Sequence, residues 1–342
     1  MDIERADDLL FYLRETDRLA QGEHVKITVL EGGVSNRTVL LERANGDDWV
    51  LKQALKKLRV SVDWFSNPER IHREAAGMRY LSRFAPESAT VPLIFEDEDE
   101  HVLAMQAVPK PHENWKTMLL RGELKSEHVK QFATLLGSIH REAYLANERS
   151  GEVAEAFKDR SYFENLRLEP YYLYTAQQVP EAAAFLRQLV KDTRSRLFTL
   201  VHGDYSPKNV LVYRGQLVLL DHEVIHFGDG AFDLGFALTH LLSKAHHLKA
   251  HRAAFAEAAL QFWHEYEHIS ALPFSTSVET YAVRHTLGCL LARVAGRSPL
   301  EYLSESEKQL QKELVIHLMK QPPATIKALI TEFIKGVNHV RH

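Results

Sequence analysis

Three residues in the middle of the chain have the types and spacing that phosphoryl transfer needs: Asp204, Asn209 and Asp221. They stand in Val201-His202-Gly203-Asp204-Tyr205-Ser206-Pro207-Lys208-Asn209, which is followed by a strand hairpin and then by Asp221-His222-Glu223. Moving a phosphoryl group to a hydroxyl requires a carboxylate that orients the hydroxyl and accepts its proton, and oxygen ligands that hold magnesium against nucleotide phosphates. Asp204 suits the first task. Asn209 offers a neutral amide oxygen, Asp221 a charged ligand at the end of an apolar strand, and Glu223 a carboxylate able to share the metal or reach it through water. His, Gly, Asp, Ser, Pro and Asn are also loop formers, but order, spacing and flanking strands agree on a site.

Other residues support this centre. Asp233 lies in the apolar run Ala231-Phe232-Asp233-Leu234-Gly235-Phe236, where an isolated carboxylate is costly to bury, so it needs backbone partners. The His202–Asn209 loop is the expected partner, with a plain helix cap as the alternative. Lys52 ends the strand Trp49–Lys52 on the same face as Val50, where it can reach phosphates. Glu74 shares a helical stripe with Ile71, Ala75 and Met78 and is the expected partner of Lys52. The turn Glu31-Gly32-Gly33-Val34-Ser35-Asn36 can fold its N–H groups over phosphates.

The elements that position these residues read as α+β. A short amphipathic helix within residues 3–20 precedes strands at Val25–Leu30, Thr38–Leu41 and Trp49–Gln53, a helix from about Asn67 to Phe84, and strands at Leu93–Phe95 and Val102–Gln106. Pro109 and Pro111 mark a link. This predicts a β-rich lobe over 1–106, a hinge over 107–111 and a mainly helical lobe over 112–342. Helices are expected at 126–146, 181–195, 231–246, 252–269, 277–295, 305–320 and 324–337, interrupted by strands Thr199–Val201, Val210–Tyr213 and Gln216–Leu220.

Composition narrows the function. The chain has 342 residues, 45% of them hydrophobic, and a formal charge of −4, which leaves no basic footprint for nucleic acid or an anionic membrane surface. No signal peptide and no long apolar run is read, and a single cysteine, Cys289, suits the cytoplasm, where it is expected as a small core residue. His264-Glu265-Tyr266-Glu267-His268 matches a zinc-protease pattern, but no third ligand is evident and a solvated helix face accounts for it. His246, His247 and His251 are read as a surface face too.

With these motifs in place, the chain resembles the aminoglycoside phosphotransferase and choline-kinase-like group of small-molecule kinases, from about Gly32 to Ala295. His202-Gly203-Asp204 with Asn209 matches that group's catalytic loop, and Asp221-His222-Glu223 stands where protein kinases have Asp-Phe-Gly. The resemblance implies a bilobal protein-kinase-like fold, ATP and Mg2+, a small-molecule hydroxyl acceptor, and a hinge at Met105–Val108 in which Gln106 and Val108 meet adenine. Val50–Leu55, with Arg59 and Trp64 before Arg73-Glu74, is also similar to methylthioribose kinases. In those enzymes two arginines of a late helix meet the sugar; the similar place here reads Arg284-His285, which implies Arg284 at the acceptor. The alternatives are a sugar kinase of that type and a nucleotide-binding regulatory protein without transfer activity.

Overall fold

Alternating apolar residues build the first lobe. In the computed structural model, which describes residues 1–30, 35–59, 65–273 and 275–338, strands β1 (Val25–Val29), β2 (Asn36–Arg43), β3 (Trp49–Ala54), β4 (Leu93–Asp97) and β5 (Val102–Gln106) form one antiparallel sheet. Its order is β1-β2-β3-β5-β4. Side chains on a strand point alternately to opposite faces, so the sheet carries two apolar surfaces. Val39, Leu41, Leu51 and Ala104 cluster with Leu9, Tyr12 and Leu13 of α1 (Ala6–Glu15). Leu103 and Met105 cluster instead with Ile71, Ala75 and Met78 of α2 (Arg70–Phe84). Each such apolar side chain contributes roughly 1.5–3 kcal/mol when buried. Lys52 alternates with Leu51 and so falls on the α2 side, which aims its ammonium at the space between sheet and helical lobe.

The second lobe starts with β6 (His112–Asn114), α3 (Trp115–Leu120) and α4 (Ser126–Ser150). Asn114 caps α3 through the Lys116 N–H and also donates to the Lys208 carbonyl at 2.7 Å. The chain then passes through α5 (Glu152–Ala156) and α6 (Ser161–Phe163), a π-helical stretch Glu164–Leu173, α7 (Tyr174–Gln178) and α8 (Ala183–Ser195). Next come β7 (Thr199–Val201), β8 (Val210–Tyr213), β9 (Gln216–Leu219) and β10 (His226–Gly228). β10 pairs with β7, and β8 lies between β6 and β9. The remainder is helical: α9 (Ala231–His247), α10 (Arg252–Ser270), α11 (Ser275–Ala295), α12 (Glu305–Lys320) and α13 (Ile326–Asn338). α9 packs on α10 and α11, and α10 on α4. Among the described residues no helix is long and apolar enough to cross a membrane.

Two local expectations change. The histidines after α9's midpoint are not all surface residues: His246 is 2% exposed, its ring against Phe333 and its Nε2 at 3.0 Å from the Glu307 carbonyl oxygen, because α12 and α13 cover that face. The stretch at 152–178, for which no element is expected, is almost wholly helical. The HExxH segment on α10 turns Tyr266 inward, its hydroxyl 2.9 Å from His140 Nδ1, and leaves His264 and His268 exposed.

Candidate active site

The loop after β7 is held from below by one carboxylate. Asp233, fully buried in the first turn of α9, accepts the His202 N–H at Oδ2 (2.7 Å) and the Gly203 N–H at Oδ1 (2.8 Å), with His140 Nε2 3.3 Å from Oδ2. Burial alone raises the pKa of such a group, but hydrogen bonds from His140 and the loop backbone outweigh it and hold the carboxyl below its usual range. Gly203 sits at φ +79°, and a Cβ there would lie 2.9 Å from Val224 Cγ2. Only glycine meets both demands. The Asp204 N–H donates to His202 Nδ1 at 3.2 Å, which assigns the ring proton to Nε2, facing His222 Nδ1 at 3.1 Å. Burial lowers the pKa of both imidazoles, so the pair is neutral.

Asp204 is gripped from two sides. Its Oδ2 accepts from Asn209 Nδ2 at 2.8 Å and lies 2.9 Å from Arg167 Nη2, while Arg167 Nε donates to the Gly203 carbonyl at 2.7 Å. With its NH2 group committed to Asp204, Asn209 keeps its amide oxygen for another partner. A short 3-10 turn, Pro207–Asn209, sets the spacing between the two side chains.

Opposite this loop, Lys52 Nζ lies 2.6 Å from Glu74 Oε1 and 3.3 Å from Asp221 Oδ1. Burial disfavours the ammonium, but Asp221 and Glu74 reverse the effect and raise its pKa; Lys52 in turn pulls Asp221 below the usual range against its own burial. Glu74, fully buried, is pushed up by lost solvation. Asp221 adopts φ +68°, a left-handed conformation that a side chain takes at some cost and that turns it back from the end of β9. Glu223 Oε2 accepts from Arg70 Nε (3.1 Å) and Asn36 Nδ2 (3.3 Å), which ties the second lobe to β2 and α2 and leaves Oε1 uncommitted.

Of these groups Asn36, Lys52, Arg167, Asp204, Asn209, Asp221 and Glu223 line one cleft of about 1060 Å³ between the lobes, together with Ser35, Gln106, Val108 and the apolar residues Val50, Met105, Leu211 and Leu220. The residues fit a nucleotide with magnesium. Asn209, Asp221 and Glu223 are hard oxygen donors, and the buried Asn36 Oδ1 and Glu74 Oε2 lack partners among the described residues. Gly32 and Gly33 lie outside the described residues, as does Trp64.

Arg284, expected at the acceptor, does not line the cleft. It lies over Phe185, 5.5 Å from the ring centroid, with Asp192 3.9 Å away, and its neighbour His285 is fully buried against Tyr172. The helix turns both away, and Arg293, further along α11, and Arg297, just past its end, line the cleft instead. Arg70 and Arg167 were not anticipated. Arg70 could have been found one turn before Glu74 on the same buried stripe; Arg167 lies in the stretch where no helix is expected, so no pattern pointed inward there.

The chain matches the APH phosphotransferase enzyme family over residues 26–274. It is 24% identical over 267 residues to a methylthioribose kinase of Pectobacterium atrosepticum, an alignment covering 69% of this chain but 65% of that protein, so it spans slightly less than two thirds of the relative's length. Two solved structures share its fold: an amicoumacin kinase in complex with AMP-PNP and Ca2+ (TM-score 0.55, 15% identity, 93% of this chain and 95% of that one) and a choline/ethanolamine kinase family protein from Mesorhizobium loti (0.54, 14%, 97% and 98%). The small antiparallel sheet over a mainly helical lobe is the bilobal kinase-like fold, and the chain belongs to the APH phosphotransferase enzyme family.

Proposed function

We propose that the protein is an ATP-dependent kinase that moves the γ-phosphoryl group to a hydroxyl of a small molecule, acting in the cytoplasm. One observation carries this reading: a single cleft gathers Asp204 with Asn209 on one side and Lys52 with Asp221 on the other, with the buried Glu74 holding Lys52 from behind. Adenine would lie between Val50 and Met105 above and Leu211 and Leu220 below, bonded by the Gln106 carbonyl and the Val108 N–H in a hinge over 107–111. Lys52, fixed by Glu74, would bind phosphate oxygens, and backbone N–H groups near Ser35 and Asn36 would cover them. Asn209 and Asp221, with Glu223 Oε1 directly or through water, would hold Mg2+, which supplies neutralisation of charge on the β- and γ-phosphates. Asp204 orients the acceptor hydroxyl and takes its proton, and the Arg167 and Asn209 donors fix its carboxylate for an in-line approach.

The test is nucleotide consumption with magnesium against a panel of hydroxyl-bearing small molecules, for the protein and for Asp204→Asn. Acceptor-dependent turnover is expected, with kcat falling by at least about 100-fold in the variant. Nucleotide binding without turnover on any acceptor would instead favour a regulatory nucleotide-binding protein. A second reading, a sugar kinase acting on methylthioribose, draws on the names of the curated relatives and predicts that this neutral sugar leads the panel.

A further inference from the structure

Beyond the phosphoryl site, the cleft continues over the helical lobe to a wall supplied by α3, α9, the π-helical stretch and the end of α11. The charged side chains that line this wall are cations. Lys116, Lys208, Arg293 and Arg297 line it, whereas the carboxylates that line the cleft are Asp48 and the three acids of the phosphoryl site. Two of the four cations are already matched: Lys116 pairs with Glu301 and Arg297 with Glu169 at 3.1 Å.

Arg293 is not. Its Nη1 donates to the Tyr171 hydroxyl (3.0 Å), the Ser298 carbonyl (2.7 Å) and Ser298 Oγ (3.0 Å), all neutral, and its buried Nε has no partner among the described residues. Both hydroxyls accept from Arg293, so each retains its own proton to donate elsewhere. The Tyr171 ring lies between two guanidiniums, those of Arg293 and Arg167, each 5.8 Å from its centroid, and Arg167 is the residue that grips Asp204. Arg293 is therefore one aromatic ring away from the point where the hydroxyl reacts. Cations predominate around it, with Glu301 the opposing charge. Burial and then Lys116 and Arg293 push the Lys244 ammonium down to about 7, and His240, on the same wall, is lowered by burial and then by Lys244, Arg293, Lys116 and Lys208. Concentrating like charges costs folding free energy, and an arginine whose hydrogen-bond partners are all neutral, beside two spare hydroxyl donors, is suited to a planar or tetrahedral oxyanion.

We infer that the acceptor carries an anionic group, a carboxylate or a phosphate, in addition to its reacting hydroxyl, and that Arg293, Tyr171 and Ser298 bind it. The inference rests on the kinase reading for the identity of the hydroxyl, but the anion site can be measured without turnover. It sets the acceptor apart from neutral sugars and from cationic amino sugars and amino alcohols, which this wall would repel.

Binding would be measured by calorimetry on the protein with a non-hydrolysable ATP analogue and Mg2+, using matched sets: hydroxy acids of three to six carbons against their amides, sugar monophosphates against the parent sugars, and amino sugars. The anionic member of at least one set is expected to bind about tenfold or more tighter than its neutral counterpart, and the set that responds distinguishes carboxylate from phosphate. Arg293→Met should erase that preference and Arg293→Lys retain part of it, with circular dichroism reporting the fold. Should the methionine variant fail to fold, the wild-type preference and the lysine variant still decide. Equal or tighter binding of neutral or cationic members would overturn the inference, as would an anion preference that survives in folded Arg293→Met. Anion-selective binding with no phosphoryl transfer to any member would sink the kinase reading and leave the anion site standing.

Discussion

Arg167 shows how much a single side chain can set in this cleft. Its guanidinium binds the Asp204 carboxylate through Nη2 and the Gly203 carbonyl through Nε, so this carboxylate and the backbone that carries it are fixed by one planar group. A lysine offers a point charge and cannot span both contacts. In the proposed reaction Arg167→Lys is expected to lower kcat by about 100-fold, since small errors in the attacking geometry cost that much. The KM for nucleotide should stay within about threefold, because Arg167 touches no group assigned to the nucleotide. Steady-state kinetics with both substrates varied would check this; a change confined to acceptor KM would mean that Arg167 serves binding and not orientation. Asp233 acts one step further back, through the two N–H groups on which the Asp204 turn is built.

Between elements, α9 packs closely on α11, and Gly235 makes that approach possible. A Cβ at this position would lie 2.4 Å from His285 Cβ and 2.6 Å from the His285 backbone carbon, so an alanine must push the two helices apart. Gly235→Ala should therefore destabilise the protein by about 1–3 kcal/mol or more despite alanine's better helix propensity, measured by urea unfolding. Gly22→Ala, with nothing within 4 Å of the added carbon and no positive φ, is the control expected to be near neutral. The same contrast explains which parts of the fold were legible in the sequence. Strands β5, β7 and β8 and helix α12 lie where periodicity and turn residues place them, and Lys52 faces Glu74 because period-two and period-3.6 patterns each fix a direction. Residues 164–173 escaped because Pro170 breaks the helical pattern, whereas the wide turns of a π-helix accommodate it. Arg284 lies off the cleft for a related reason: membership of a helix is periodic, but which way that helix is rotated depends on partners such as Gly235 and Phe185 that are distant in sequence.

Taken over the whole molecule, the charge is nearly balanced, yet the interior holds an unusual number of imidazoles. His285 and His226 are 0% and 1% exposed, and burial, the dominant cause in each, lowers their pKa to about 3 and about 4. An unfolded histidine titrates near 6.5, so the unfolded chain takes up protons that these two folded side chains refuse. Their contribution to stability is fully present above pH 6.5 and is lost as pH falls toward the folded values, amounting to about 2 kcal/mol for each at pH 5. Glu74, Glu223 and Asp229 work in the opposite sense, because burial raises their pKa and the folded state gains protons as pH falls. The net slope of stability against pH thus mixes both kinds of group, and a single histidine must be isolated by difference. His285→Gln keeps a partner for the Tyr172 hydroxyl, which lies 2.8 Å from His285 Nδ1, and removes the titration. Unfolding free energies at pH 7 and pH 5 should differ by about 2 kcal/mol less in this variant than in the parent protein. An unchanged difference would mean that His285 is protonated in the folded state near its ordinary pKa, and that the α9–α11 interface admits water at Tyr172.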